Sequence, residues 1–201
     1  MWRYAESGTF SMPLVLKDLK TQRESLRALA ELAERGITDP KVVFTARAIV
    51  QSCGARDDDC ELQAIFDAVK KGDPKVKSLK NGFRYVADPN VRDWFVGPRK
   101  ALDFCEAGVC GGDCDEFAAL VAALTSAIGF HSGVRAWGPD AKGFSHVYAV
   151  VCYPKRRPNQ IIGLDPTVDY ADVGWEPPGG RRLTALIDPP QGWRTLARSS
   201  R

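Results

Sequence analysis

Apolar positions along the first third of the chain fall at helical spacing. Leu14, Leu16, Leu19, Leu26, Leu29, Leu32 and Ala33 recur in a helix-like pattern that Gly36 stops. Asp39-Pro40 then reads as an N-cap followed by proline at the first helical position. The helix it opens carries Val42, Val43, Ala46, Ile49 and Val50. A third helix is expected from Asp58 to Lys70, with Leu62, Ile65, Phe66 and Val69 turned inward. Plain packing on a core is the expectation for these helices; a lid or a docking surface is the other reading. The run from Phe117 to Ile128 differs. It is apolar nearly all round and rich in alanine, so it predicts a buried helix, with Gly129 ending it. Beyond it the pattern becomes extended. Ser132 to Trp137, Phe144 to Cys152 and Ile161 to Leu164 predict strands, with turn chemistry at Asp140 to Gly143 and Pro154 to Asn159.

Composition narrows this little. The 201 residues suit one catalytic-size domain with a small accessory region, and 44% hydrophobic residues are enough for a core. A net charge of +3 does not by itself point to nucleic acid. No segment approaches the roughly 18 consecutive apolar residues of a membrane span, and Met1 to Gly8 lacks a signal-peptide core. The expectation is a chain that is cytoplasmic at synthesis and has no membrane partner. Trp175 to Gly180 breaks regular structure. From Arg181 to Arg201, five arginines (181, 182, 194, 198, 201) face one acid, Asp188. A solvated basic tail is expected there, and it is the one route to nucleic acid or an acidic partner. The boundaries drawn are a helical region over 1–72, a core over 73–178 and the tail over 179–201.

The six cysteines leave alternatives open. Cys152, ending an apolar strand, reads as a buried small hydrophobe. Cys53 and Cys60 form one close pair, and Cys105 and Cys110 another. Reduced thiols suit a cytoplasmic chain, two short-loop disulfides suit the pairing, and a four-cysteine zinc site needs all four to converge.

The chemistry concentrates at Gly111-Gly112-Asp113-Cys114-Asp115-Glu116, just before the buried helix. Cys114 stands at the helix start, where orphan N–H groups and a nearby imidazolium are expected to acidify a thiol. Asp113 is the expected N-cap. Gly111 and Gly112 are expected to leave space above the thiol. His146, on the second strand, has the position of a base and acid; Asp165, before Pro166, could hold its ring. Asp169 and Asp172 are alternatives to Asp165. His131 reads as a strand-edge residue. For an oxyanion, the Cys114 N–H is one donor; Trp94, Tyr85, Asn81 and Asn90 are candidates for a second, with Trp94 foremost.

Cysteine on a central helix, then histidine and aspartate on successive strands, resembles the transglutaminase-like core of the papain-like cysteine enzymes. The carrying motifs are Gly112-Asp113-Cys114-Asp115-Glu116, Ser145-His146-Val147-Tyr148 and Leu164-Asp165-Pro166-Thr167. The segment Phe83-Arg84-Tyr85-Val86-Ala87-Asp88-Pro89 resembles a tyrosine-containing stretch upstream of the cysteine in bacterial and phage members. The likeness covers roughly Leu62 to Thr167 and is strongest to the compact proteins of bacteriophage structural-gene regions. It implies an α+β fold, with the cysteine-bearing helix packed on an antiparallel sheet and a helical region before it. It implies acyl transfer or amide hydrolysis on a protein or peptide through a thioacyl intermediate at Cys114, His146 and Asp165, with no cofactor. It equally implies the alternative of a phage structural or assembly protein, virion-associated and partnered by other phage proteins, that keeps the fold without catalysis.

Overall fold

The computed structural model describes residues 9–13, 19–87, 92–140 and 143–193. A strand, β1 (Thr9–Pro13), precedes three helices, α1 (Leu19–Ile37), α2 (Pro40–Ile49) and α3 (Asp58–Lys70). Asp39 caps α2 by accepting the Lys41 N–H at 2.8 Å, with Pro40 next in line, as the sequence predicts. Two short strands follow, β2 (Arg84–Tyr85) and β3 (Arg92–Val96), then helix α4 (Pro98–Glu106) and strand β4 (Gly111–Gly112). Helix α5 (Cys114–Ala127) leads into β5 (Ser132–Gly138), β6 (His146–Tyr153), β7 (Gln160–Leu164) and β8 (Arg181–Leu186). The last four strands form one antiparallel sheet in the order β7-β6-β5-β8.

Helix α5 is the axis of the molecule. Phe117 to Leu124 are all buried, and the helix packs against β5 and β6 of the sheet and against α1, α2, α3 and α4. Small alanine side chains let these neighbours approach, while each buried leucine, such as Leu120 or Leu124, contributes about 1.5–3 kcal/mol. Along the sheet, Val134, Ala136, Val147, Ala149 and Val151 join the core by period-two alternation, while Tyr148, Val150 and Cys152 between and after them are buried as well. The fold is therefore mixed α+β, with helices against an antiparallel sheet.

Several sequence expectations change here. Leu14 and Leu16 lie outside the described residues, and so do Arg194, Arg198 and Arg201. The segment read as a solvated tail begins instead with β8, which pairs with β5 from Gly133↔Leu186 to Gly138↔Arg181. Leu183 and Ala185 pack on the core, and that apolar contact outweighs the exposed preference of the flanking arginines. The region over 1–72 contributes β1, which pairs with β3, and its helices share one continuous core with the sheet. Cys53–Cys60 and Cys105–Cys110 are disulfides, and the free thiols are Cys114 and Cys152. This corrects the reduced-thiol reading, and four cysteines already bonded in pairs leave no ligand set for zinc. Loops this short stabilise by about 2–3 kcal/mol on the chain-entropy view. Cys152 is fully buried, as expected.

Candidate active site

The nucleophile turn is built by reciprocal capping. Asp113 holds extended backbone and accepts the Asp115 N–H at 2.9 Å. Glu116 reaches back, and its Oε2 accepts the Asp113 N–H at 3.0 Å, completing a capping box. Its Oε1 accepts the Val96 N–H at 2.9 Å, which ties β3 to the same turn. Cys114 is thereby fixed at the first helical position.

The two glycines serve this packing rather than space above the thiol. A Cβ on Gly111 would lie 2.6 Å from the Arg84 carbonyl oxygen, and one on Gly112 would lie 2.7 Å from the Glu116 Cβ. Glycine is needed because β2 runs alongside, pairing Arg84 with Gly111 and Tyr85 with Gly112. That pairing sets Tyr85 at the rim of the site.

His146 opens β6, opposite Trp137 on β5. Pairing of β6 with β7 begins only at Ala149↔Leu164, so His146 and Val147 lie beyond the end of β7. The Val147 N–H lies near enough to the Cys114 thiol to favour its ionised form. The ring Nε2 of His146 lies 2.7 Å from Asp165 Oδ2. With Nε2 engaged there, Nδ1 is the ring nitrogen left to exchange a proton. Asp165 is fully buried just past β7. Its Oδ1 accepts from the Thr167 hydroxyl at 2.5 Å and the Thr167 N–H at 3.3 Å. The Lys70 ammonium, from α3, donates to the carbonyls of Val168, Asp169 and Ala171 at 2.9, 2.8 and 2.7 Å, pinning the loop that follows. On the other side the His146 ring stacks on Tyr148, centroids 5.9 Å apart, and the Tyr148 hydroxyl donates to Glu176.

Cys114, His146, Asp113, Asp115 and Tyr85 line one cleft of about 290 Å³, with Gln22 and Ser25 of α1 and Phe95 of β3 in its wall. Its electrostatics run against the expected acidified thiol. Burial, then Asp115 and Asp113, push the Cys114 thiol well above its ordinary value, and the Val147 N–H opposes them only in part. Sγ lies 3.9 Å from Asp115 Oδ1. A helix N-terminus favours a thiolate, but carboxylates of its own first turn cancel that preference here. Glu116, buried beneath the turn, is pushed up to about 9, chiefly by burial and then by the charge of Asp113.

The three predicted site residues thus meet in one place. Asp169 and Asp172 are exposed and do not replace Asp165. His131 is not in the cleft wall; its Nδ1 lies 2.7 Å from the Asp188 carbonyl oxygen. Trp94 lies on β3, opposite Ser11, but its side chain falls outside the described residues, as does Asn90. Asn81 sits in an exposed turn. Sequence reasoning missed Glu116, Lys70 and Gln22. The spacing Asp113-x-x-Glu116 is a capping-box signature and could have found the first; nothing local marks the other two. Asp113, Cys114 and Asp115 offer ligand atoms within 4.8 Å of one another, a grouping that exposed acidic turns often show. No family model, curated protein or solved structure matches this chain.

Proposed function

We propose that the protein is a transglutaminase-like cysteine enzyme that transfers or hydrolyses an acyl group of a protein or peptide. The observation that carries this reading is the His146–Asp165 pair at 2.7 Å, set in the same cleft as a cysteine at a helix start. Asp165 orients the ring, and Nδ1 of His146 takes the thiol proton as Sγ attacks an amide or ester carbonyl. The tetrahedral oxyanion meets the Cys114 N–H. His146 then protonates the leaving amine, leaving a thioacyl group on Cys114. Water, or a second amine, attacks that group with His146 again as base, and the thiol is regenerated. Because burial and the neighbouring acids favour the protonated thiol, the proposed route has proton transfer accompany attack. No step calls on a cofactor.

The papain-like arrangement is part of the same proposal, supported by the cysteine helix packed on the strand that bears the histidine. A second reading has an observation of its own. A thiol pushed up by burial and by two acids suits a fold kept for assembly, with the triad idle. Alkylation of Cys114 by iodoacetamide, followed across pH by mass spectrometry in wild type and His146→Ala, separates the two. Dependence on His146 near neutral pH supports the enzyme, and a panel of peptide amides and thioesters is then hydrolysed by wild type but not by Cys114→Ala. An inert Cys114, the same in both proteins, overturns it in favour of the assembly reading.

Membrane association through a spanning helix finds no support, since no helix among the described residues is long and apolar enough to cross a membrane.

A further inference from the structure

Helix α1, expected to be plain scaffold, reaches into the site. Gln22 and Ser25 lie three residues apart, one helical turn, and both line the cleft. The Gln22 side chain makes two bonds to a single residue far away in sequence. Its Nε2 donates to the Phe144 carbonyl at 3.4 Å, and its Oε1 accepts the Phe144 N–H at 3.3 Å. A primary amide that gives and takes in this way stands in for one residue of a neighbouring strand. The neighbouring backbone is shaped for it. Gly143 adopts φ +149°, and a Cβ there would lie 2.6 Å from Gln22 Nε2. The next N–H, that of Ser145, is taken by Trp137 of β5 at 2.9 Å. His146 follows.

We propose that Gln22 is a positioning residue for His146. The segment entering β6 has no β7 beside it, because that pairing starts at Ala149. On this side no strand pairs with Gly143 to His146 among the described residues, while on the other the Ser145 N–H is bonded to β5. The Gln22 amide supplies the missing partner and sets the height of the His146 ring over Cys114. Both of these bonds go to the Phe144 backbone, two residues before His146. Both bonds are long, at 3.4 and 3.3 Å. This inference rests on the reaction proposed above for its consequence, but its geometry can be tested without it.

The chain has two histidines, so imidazole NMR reads His146 with His131 as an internal reference. In Gln22→Leu, the His146 ring signals should broaden or shift while those of His131 stay, and the melting temperature should hardly move, because Gln22 is only half-buried. Gln22→Glu keeps the acceptor for the Phe144 N–H and loses the donor, so its effect should be intermediate. Gly143→Ala, which drives a methyl against the same amide, should reproduce the change seen in Gln22→Leu. Cys114 alkylation in Gln22→Leu should lose the part that depends on His146. A His146 ring unmoved in both Gln22→Leu and Gly143→Ala overturns the inference. If wild-type alkylation shows no His146 dependence, the enzymatic reading fails, and the ring signals still decide the role of Gln22.

Discussion

His146 and Cys114 face one cleft but stand in opposite conditions. The histidine side is fully assembled: Asp165 holds Nε2 at 2.7 Å, Thr167 holds Asp165, and Tyr148 backs the ring. The cysteine side is geometrically fixed by a capping box, yet electrostatically unready. Burial raises the thiol most, and the carboxyls that cap the helix and order the turn push it up further. The residues that make α5 start cleanly are the ones that oppose thiolate formation. Structural and chemical demands coincide on the histidine side and conflict on the cysteine side. In the proposed reaction this conflict is met by moving the proton late, during attack, with the base already in place.

The contrast can be broken or sharpened by substitution. The largest effect is expected at Asp165→Asn, which keeps the shape but lets His146 take the wrong tautomer. Turnover of any substrate found should fall by about 10²–10⁴-fold, and an unchanged rate would show that the pair is not catalytic. Glu116→Gln comes next and probes the other side through stability. The folded protein keeps a proton on Glu116 that the unfolded chain releases between about 4.5 and about 9. The stability this group contributes is therefore fully present below about 4.5 and lost as pH rises through about 9. Urea melts at pH 6 and pH 9 should diverge in wild type and converge in Glu116→Gln; equal divergence would place the ionisation elsewhere. Asp115→Asn removes the nearest charge opposing the thiolate. The midpoint of Cys114 alkylation should move to lower pH. Asp113→Asn keeps a good capping side chain and should move it less. A midpoint indifferent to both would leave burial as the whole cause. The smallest effect is expected for Thr167→Val, which deletes the hydroxyl bond to Asp165 and should cost about 1 kcal/mol by chemical denaturation. A loss several times larger would mean that Asp165 rearranges.

Much of this was legible in residue order, for identifiable reasons. Asp39-Pro40 and the Phe117–Leu124 run act within a few residues of themselves, so capping and hydrophobic period reveal them directly. Strand β6 was readable from its continuous apolar run, and β5 and β7 from short apolar segments set between turn residues. By contrast β1, β3 and β8 are short edge or ribbon strands, whose existence depends on a partner far along the chain. The start of β6 was placed two residues early because Phe144 looks like strand but bonds to a glutamine on α1. The cysteine pairing stayed open in the sequence because three chemistries share one spacing, and only the approach of the chains selects disulfides.

The sequence by itself determined the nucleophile turn, the buried helix behind it and the identities of Cys114, His146 and Asp165, because each is written in local capping, turn and periodicity rules. Tertiary structure alone decided which ring nitrogen of His146 meets Asp165, how far the neighbouring acids raise the thiol, and that Gln22 and Lys70 brace the two loops around it. Those outcomes depend on distances between groups up to 122 positions apart. Charge and hydrogen bonding act through space, and spacing along the chain does not encode them.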